Sequence, residues 1–568
     1  MIIGLDVGGT HTDVVLFGTA GLLKEIKVPT NHSNLFDTVL TGFEKITENI
    51  NPQDIQRVVL STTLTTNAIV QDKIPDVGMI VSGGPGIDPE NFRTHSNYYC
   101  VSGSIDHRGR EIRPIDKDEI QSVAARLKAQ GIRHVGVVGK FSVRNPIHET
   151  KINRIIRDDF EKVFLGHQIS GNLNFPRRIA TTFLNATVYP IHREFYLAVE
   201  KSLRKKGLQV PIHILKADGG TMCFEASLDA PGQTILSGPA ASIMGAISFA
   251  APKKETLVLD IGGTTTDMGI LLDRVPVLEP LGIQIGRYKT LIRSLKTHSI
   301  GLGGDSAVRV VNGRLQIGPD RDGPAMAYGG AVPTPTDALV ALNIFKGGDR
   351  VRALEGLQTI SSKLHIGVED LARQIFDQAC FKILGEARRL VDEINSKPVY
   401  TVHELQEGYR VNPENILVLG GPAPYFAEQL KHMSGLGVDV VPKWEVANAI
   451  GAALARTTCE VTLFADTEQE IATAPEENFT EMVGKHFSRQ DAVNKTFELL
   501  RNKALQMGAC DEDLEMEVIE NLQFNMVRGF YTTGRNLRIK AQVKPGLIHE
   551  YKEIAGGLYM NGSPPEQT

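Results

Sequence analysis

The chain has 568 residues, 42% hydrophobic and 22% charged, an ordinary globular composition with apolar material for two to four folded units; a disordered tail or a mini-protein is excluded. Its 61 Lys and Arg against 66 Asp and Glu give a net charge of −5, which offers no footprint for nucleic acid or an anionic membrane. The N-terminus shows no leader pattern and no apolar run approaches a membrane span, so the expectation is a soluble, cytoplasmic protein.

The first predicted element is a hairpin. Apolar runs Ile2-Ile3-Gly4-Leu5 and Val14-Val15-Leu16-Phe17 bracket Asp6-Val7-Gly8-Gly9-Thr10-His11-Thr12-Asp13. The octet returns as Asp260-Ile261-Gly262-Gly263-Thr264-Thr265-Thr266-Asp267, six identities in eight at an offset of 254 residues, again between apolar runs. Both copies therefore read as tips of β-hairpins. A dinucleotide fingerprint or a Walker A loop would have to open a helix after its glycines; a strand follows here, and neither motif is present. Glycines without Cβ let backbone N–H groups face an anion, and Thr10, Thr12, Thr264 and Thr266 add hydroxyl donors, an arrangement suited to a polyphosphate. Asp6 and Asp260 would repel phosphate unless a divalent cation stood between, and Mg2+, which keeps most of its waters, fits that place. One copy alone also reads as a tight turn, because Gly, Asp and Thr are turn residues. Two matched copies favour the polyphosphate.

Between the copies, about 70–180 mixes β-like runs with Gly-rich turns and belongs to the first half. A helix then runs through Arg193 and Lys205, and a buried strand, Ile212–Leu215, leads to Asp218-Gly219-Gly220, a turn expected to point at the cleft. Ser237-Gly238-Pro239-Ala240-Ala241 opens a helix with small residues on most turns, and 447–455 repeats the pattern. Such helices either cross closely at a hinge or are ordinary Ala-rich core helices. Positions Leu371, Ile375, Ala379 and Ile383 recur at helical spacing. Ile416-Leu417-Val418-Leu419 reads as a buried strand running into Gly420-Gly421-Pro422, where paired glycines would let a nucleoside lie flat on the backbone. Residues 461–568 read as a separate α/β appendage with a helix near 489–507, strands near 515–526 and 536–543, and a polar tail at 563–568. Five scattered cysteines with no C-x-x-C are expected to be reduced, mostly buried thiols. The expected units are 1–250, a first lobe containing the inserted segment; 251–460, a second lobe; and the appendage.

The order hairpin, small-residue helix, hairpin, Gly-Gly-Pro turn, small-residue helix resembles the actin, hexokinase and heat-shock ATPase superfamily. In detail, Asp6–Asp13, Thr62-Thr63-Leu64-Thr65-Thr66-Asn67, Arg144-Asn145-Pro146, Ser237–Ala241, Asp260–Asp267, His298-Ser299-Ile300-Gly301-Leu302-Gly303-Gly304 and Pro333–Ala338 resemble the hydantoinase A/5-oxoprolinase family over about residues 1–456. The resemblance implies an α/β, two-lobed actin-like ATPase with ribonuclease H-like halves, duplicated phosphate-binding hairpins and a C-terminal α/β appendage. It implies ATP and Mg2+, and ATP-driven opening of a lactam or cyclic ureide such as 5-oxoproline or a hydantoin, or, as in carboxylase relatives, ATP-driven activation of a ketone. Gly8, Gly9, Thr10, Gly262, Gly263 and Thr264 would then hold phosphates, and Asp6 and Asp260 would orient the waters of the metal. Asp13 and Asp267, the remaining catalytic carboxylates, either cap their loops or position a water. His11, Asn67, His298 and Asp305 would lie on the substrate side.

Three positions depart from the family pattern. His11 stands where an aromatic Phe is usual, and either donates beside the first hairpin or packs as the aromatic would. Asp305 interrupts a Gly run, and either binds substrate or a metal or suits a turn. Arg177-Arg178 reverses the usual charge, as a substrate carboxylate site or as a solvated loop or ion pair. His298 either acts in the cleft or is structural. Because fused 5-oxoprolinases carry a second large unit that this sequence lacks, a hydantoinase B-like second subunit is the expected partner. A nucleotide-driven module acting on a protein partner is the reading from another class, and no detachable β-domain for peptide binding supports it.

Overall fold

The structure, a computed structural model, describes residues 1–9, 11–18, 21–31, 35–70, 73–205, 207–279, 281–396 and 410–548. Strand β1 (Ile2–Val7) is buried along its whole length, which is why it reads as a continuous apolar run. It pairs antiparallel with β2 (His11–Gly18), placing Asp6 opposite Asp13, and β2 pairs onward with β3 (Gly21–Pro29). On its other side β1 runs parallel to β4 (Arg57–Thr62), and β5 (Ile212–Leu215) and β6 (Thr221–Cys223) complete a six-stranded sheet in the order β6-β5-β4-β1-β2-β3.

The second half repeats the arrangement. Strands β7 (Glu255–Ile261) and β8 (Thr266–Leu272) form the second hairpin with Asp260 opposite Asp267, and β10 (Asn415–Leu419) lies parallel beside β7 as β4 does beside β1. Strand β9 (Thr297–Ile300) pairs with β8, and β11 (Gly437–Val440) continues from β10. Gly78–Ser82, Tyr98–Val101, His134–Gly139 and Lys162–Leu165 build a separate parallel sheet within the first half. It leads into α1 (Phe175–Lys205).

Helix α2 (Ser237–Ile247) packs on β7 and β8, and α4 (Ala447–Leu454) packs on β1, β2 and β4. The two cross with their backbones in contact. A Cβ on Gly245 would lie 2.3 Å from the Ala447 carbonyl oxygen, and one on Gly451 would lie 2.3 Å from the Gly245 nitrogen. Gly4 of β1 sits as tightly under the Ala449 carbonyl, at 2.4 Å. The small residues are therefore a close crossing rather than ordinary core, and the apolar cluster around it joins Val15 and Phe17 of the first sheet to Val258 and Leu271 of the second. The threonine-rich segment anchors the start of α2: the Leu236 N–H donates to Thr66 Oγ1 at 2.9 Å, and Ser237 Oγ donates to the Thr62 carbonyl at 3.0 Å. Outside the second sheet, α3 (Val368–Asn395) buries the expected stripe of Leu371, Ile375, Ala379 and Ile383.

In the appendage, α5 (Arg489–Gln506) covers a five-stranded antiparallel sheet whose last two strands, Met516–Arg528 and Tyr531–Val543, form a long hairpin. Its core includes Met222 of β6, so the appendage is docked on the first lobe. The tail at 563–568 lies outside the described residues. Two expectations change. The Asp218-Gly219-Gly220 turn is buried against Thr458 of the appendage side and Met244 of α2, because the Asp218 carboxylate accepts from Thr458 Oγ1 at 2.8 Å and from Lys216 at 3.2 Å. Arg178 is fully buried and Arg177 partly so, and both guanidinium groups donate to backbone carbonyls, Arg178 to those of Asn172 and Lys140 and Arg177 to that of Thr290; neither is a solvated loop. Of the cysteines, Cys380 and Cys459 are buried, Cys100 and Cys223 half-buried and Cys510 exposed; all are free thiols. Among the described residues, no helix is long and apolar enough to cross a membrane.

The crossing gives a paired test. Gly451→Ala forces backbone apart and is expected to destabilise the chain by about 2 kcal/mol or more in a chemical denaturation series. Gly385→Ala, on an exposed face of α3 with nothing within 4 Å of the new Cβ, is expected to stabilise it by about 0.5–1 kcal/mol.

Candidate functional site

The two hairpins bring four carboxylates toward one point. Asp6 and Asp13 face each other across β1 and β2, Asp260 and Asp267 across β7 and β8, and all four lie on the faces turned toward α2 and α4. Asp260 is fixed from both helices: Ser242 of α2 donates to its Oδ2 at 2.6 Å and Asn448 of α4 donates to the same oxygen at 2.9 Å. Ser299 of β9 donates to Asp267, and Lys27 of β3 holds Asp13 at 2.5 Å. Asp6 is buried, and its Oδ1 has no hydrogen-bond partner.

Burial and mutual repulsion show in the protonation of the group. Burial first, then Asp13 and Asp260, push the Asp6 carboxyl up to about 7, although the Ser61 hydroxyl opposes the shift. Burial, Asp260 and Asp6 push Asp267 up to about 8. Asp13 is raised by burial, against the pull of Lys27. Among the described residues no three His, Cys, Asp or Glu side chains gather closely enough to hold a metal directly.

At each tip the first glycine closes the turn: the Gly8 N–H donates to the His11 carbonyl at 3.1 Å and the Gly262 N–H to the Thr265 carbonyl at 2.9 Å. Space above Gly9 is open, with nothing within 4 Å of a notional Cβ, whereas a Cβ on Gly263 would lie 2.9 Å from the Asp305 carboxylate. The loop carrying Gly303, Gly304 and Asp305 is stitched to the second tip, since the Gly304 N–H donates to the Gly262 carbonyl and the Asp305 N–H to the Gly263 carbonyl. Thr264 is exposed at that tip; Thr10 lies outside the described residues. Gly420 adopts φ +94 and abuts Asp260, where a Cβ would lie 2.4 Å from Oδ1, so only glycine fits the turn after β10. Gly421 beside it is exposed, with nothing within 4 Å.

Other expected residues stand elsewhere. Thr12 and Thr266 are completely buried and their hydroxyls are engaged in the fold, Thr12 with Thr30 at 3.0 Å and Thr266 with the Leu302 carbonyl at 2.6 Å, so neither faces the cleft. His298 pairs with Met268 in the register of β9 and β8, faces α3 and lies 3.0 Å from Glu386. Its neighbour Ser299 takes the cleft side, because side chains alternate along a strand. Asn67, in the short helix Leu64–Val70, is half-buried with its amide donating to Thr63 Oγ1 at 3.3 Å. His11 is exposed at the first tip and shares its surroundings with Asp305 and Arg321, across the cleft; burial, Lys27 and Arg321 lower its pKa. Asp305 pairs with Arg321 at 3.0 Å while burial raises its carboxyl. Ser242, Asn448, Ser299, Lys27 and Arg321 were not singled out from the sequence, although Ser242 and Asn448 lie inside the small-residue helices.

A family model described as Hydantoinase/oxoprolinase matches residues 178–461, and one described as Hydantoinase/oxoprolinase N-terminal region matches residues 2–160. The chain belongs to the hydantoinase/oxoprolinase family. The family member caprolactamase subunit alpha of Pseudomonas jessenii is 23% identical over 78% of this chain and 68% of its own length. The acetophenone carboxylase gamma subunit of Aromatoleum aromaticum is 24% identical over 93% of this chain and 77% of its own. The 5-oxoprolinase of Saccharomyces cerevisiae is 23% identical over 88% of this chain and 45% of its own. Two solved structures share the fold: ATP-dependent caprolactamase from Pseudomonas jessenii (TM-score 0.72, 19% identity, 95% of this chain and 87% of that one) and nucleotide-free acetone carboxylase (TM-score 0.71, 17% identity, 96% and 88%). The α/β, two-lobed fold of these two structures is thus the fold of this chain.

The raised carboxyls have a consequence for stability. A carboxyl whose folded pKa exceeds its unfolded value favours folding below the unfolded value, and that contribution is lost as pH rises through the folded one. For Asp267 the window runs from near 4 to about 8. Asp267→Asn removes the ionisation, so in nucleotide-free, magnesium-free protein its melting temperature relative to wild type should climb steadily from pH 5 to about pH 8.5. A flat difference across that range would contradict the burial of this charge.

Proposed function

We propose that the chain is the ATP-handling subunit of an enzyme that opens a lactam or cyclic ureide, such as 5-oxoproline or a hydantoin, by phosphorylating the amide oxygen. The observation that carries this reading is the convergence of four carboxylates between two matched Gly-Gly hairpins, with the orphaned Asp6 Oδ1 among them. Bound there, magnesium and ATP supply a phosphoryl group that turns the amide oxygen into a leaving group, together with a double positive charge to balance the carboxylates.

The chain's own residues do the positioning. Donors at the tips, at Gly9, Thr10, Gly263 and Thr264, would hold phosphate oxygens, with Gly8 and Gly262 closing the turns that present them, while Asp6 and Asp260 would accept hydrogen bonds from the waters of the metal. Ser242 and Asn448 keep Asp260 aimed without rearrangement, and Ser299 does the same for Asp267. The open backbone at Gly421 receives the nucleoside, and Gly420 leaves room for Asp260. His11, Asp305 and Arg321 stand across the mouth of the cleft, where they contact the substrate. Closure about α2 and α4 excludes water from the reacting groups.

A second subunit of hydantoinase B type completes the reaction in this reading. Support comes from the caprolactamase relative being an alpha subunit and the acetophenone carboxylase relative a gamma subunit. A second reading, the ATP-handling subunit of a ketone carboxylase, is favoured by one observation, the match to the acetophenone carboxylase gamma subunit along 93% of this chain. Stimulation of ATP hydrolysis by lactams or hydantoins rather than by ketones with bicarbonate separates the two.

Asp260→Asn is expected to lower stimulated ATP hydrolysis by about 100-fold or more, because the task of the carboxylate is orienting the metal, while the melting temperature stays close to that of the wild type. Phosphate release and thermal denaturation on the same preparation check this, and equal turnover in both proteins would remove Asp260 from the mechanism.

A further inference from the structure

The long hairpin of the appendage runs on past its own core. Arg489, the first residue of α5, donates to Asn521, so the helix begins level with that residue. Beyond it the outer strand, Met516–Arg528, carries Leu522, Phe524 and Val527 in exposed positions, and at the turn Tyr531 is exposed and Phe530 completely so. Single exposed apolar residues need no explanation, but these lie together on one projecting hairpin, and such a patch marks an interface.

The same strand is the edge of its sheet. Among the described residues it pairs only with Tyr531–Val543, so its outward row of backbone N–H and C=O groups meets no other strand. Sheet edges are ordinarily blunted by Pro, Lys or a bulge. Residues 520–528 contain neither Pro nor Lys; of the two register shifts in the hairpin, one lies at Ile519, before this stretch, and the other skips Thr533 on the opposite strand.

Read backwards, Glu520-Asn521-Leu522-Gln523-Phe524-Asn525-Met526-Val527-Arg528 complements itself. An antiparallel copy centred on Phe524 sets Phe524 against Phe524, Leu522 against Met526, Gln523 against Asn525 and Glu520 against Arg528; the one mismatch is Asn521 against Val527. Because side chains alternate, Glu520, Leu522, Phe524, Met526 and Arg528 share one face, an apolar row with opposite charges at its ends. Within the chain Glu520 meets Arg538 at 2.8 Å and Arg528 meets Glu468 at 2.8 Å, so the contact would link Arg538, Glu520, Arg528 and Glu468 in alternating sign.

We propose that this edge is a self-pairing surface, at which two copies of the chain join their appendage sheets antiparallel about a two-fold axis through Phe524. Strand addition of this kind satisfies the open backbone groups of both edges, and the isologous contact uses up both edges, so it ends at a dimer. It is independent of the ATP reading, since none of its residues belongs to the cleft.

Sedimentation velocity of the full chain, in the absence of nucleotide, tests it. The wild type is expected to be a dimer. Phe524→Lys and Phe524→Asp each set like charges against one another on the axis, and each alone is expected to raise the dimer dissociation constant about tenfold or more. Mixed in equal amounts, the two variants set opposite charges there and are expected to dimerise again, which also shows that both are folded. A monomeric wild type, the outcome where another protein or residues 549–568 take the edge, would overturn the proposal, as would dimerisation of either variant alone at wild-type strength or a mixture that stays monomeric.

Discussion

The backbone contact of α2 and α4 at Gly245 and Gly451 sets the geometry of everything in the cleft. Each helix lies on one of the two sheets, so their crossing distance is the distance between the halves. Each also sends one side chain, Ser242 or Asn448, to the same oxygen of Asp260. A methyl group at the crossing would therefore separate the sheets and pull the two donors off the carboxylate together. Here packing and electrostatics are one constraint: glycine is required at the crossing because both donors to Asp260 are aimed from it.

The carboxylate group is the electrostatic counterpart of that crossing. Four acids near one another in partly buried surroundings would ordinarily be unfavourable, and the raised Asp6 and Asp267 show that they are. The fold nevertheless gives Asp260 two donors and Asp13 a lysine, while Asp6 keeps a bare oxygen. In the proposed function a divalent cation, arriving with a polyphosphate, would balance these charges.

Much of this was legible in the sequence because the duplication repeats its chemistry at a fixed offset. The octets at 6–13 and 260–267 announced the hairpins, whereas the runs of small residues fitted a close crossing and ordinary core helices equally well. What the sequence hid was direction. His298 and Ser299 are neighbours in one motif, but alternation along β9 sends the histidine to Glu386 of α3 and the serine to Asp267. Thr12 and Thr266 carry the right hydroxyls one position out of phase with the acids, and so turn into the fold. Arg177 and Arg178, read from charge alone, proved to be donors to carbonyls inside the first lobe. Each difference follows from which face of a strand or helix is covered, and that is fixed by partners hundreds of residues away.

The proposed function places one nucleotide and one divalent ion between the two hairpins. Anomalous diffraction from crystals grown with Mn2+ and a non-hydrolysable ATP analogue tests it most directly. The account predicts a manganese peak between Asp6 and Asp260, with the phosphates flanked by residues 8–11 and 262–265 and the nucleoside over Gly421. A nucleotide bound elsewhere on the chain, or a metal peak away from both aspartates, would contradict it.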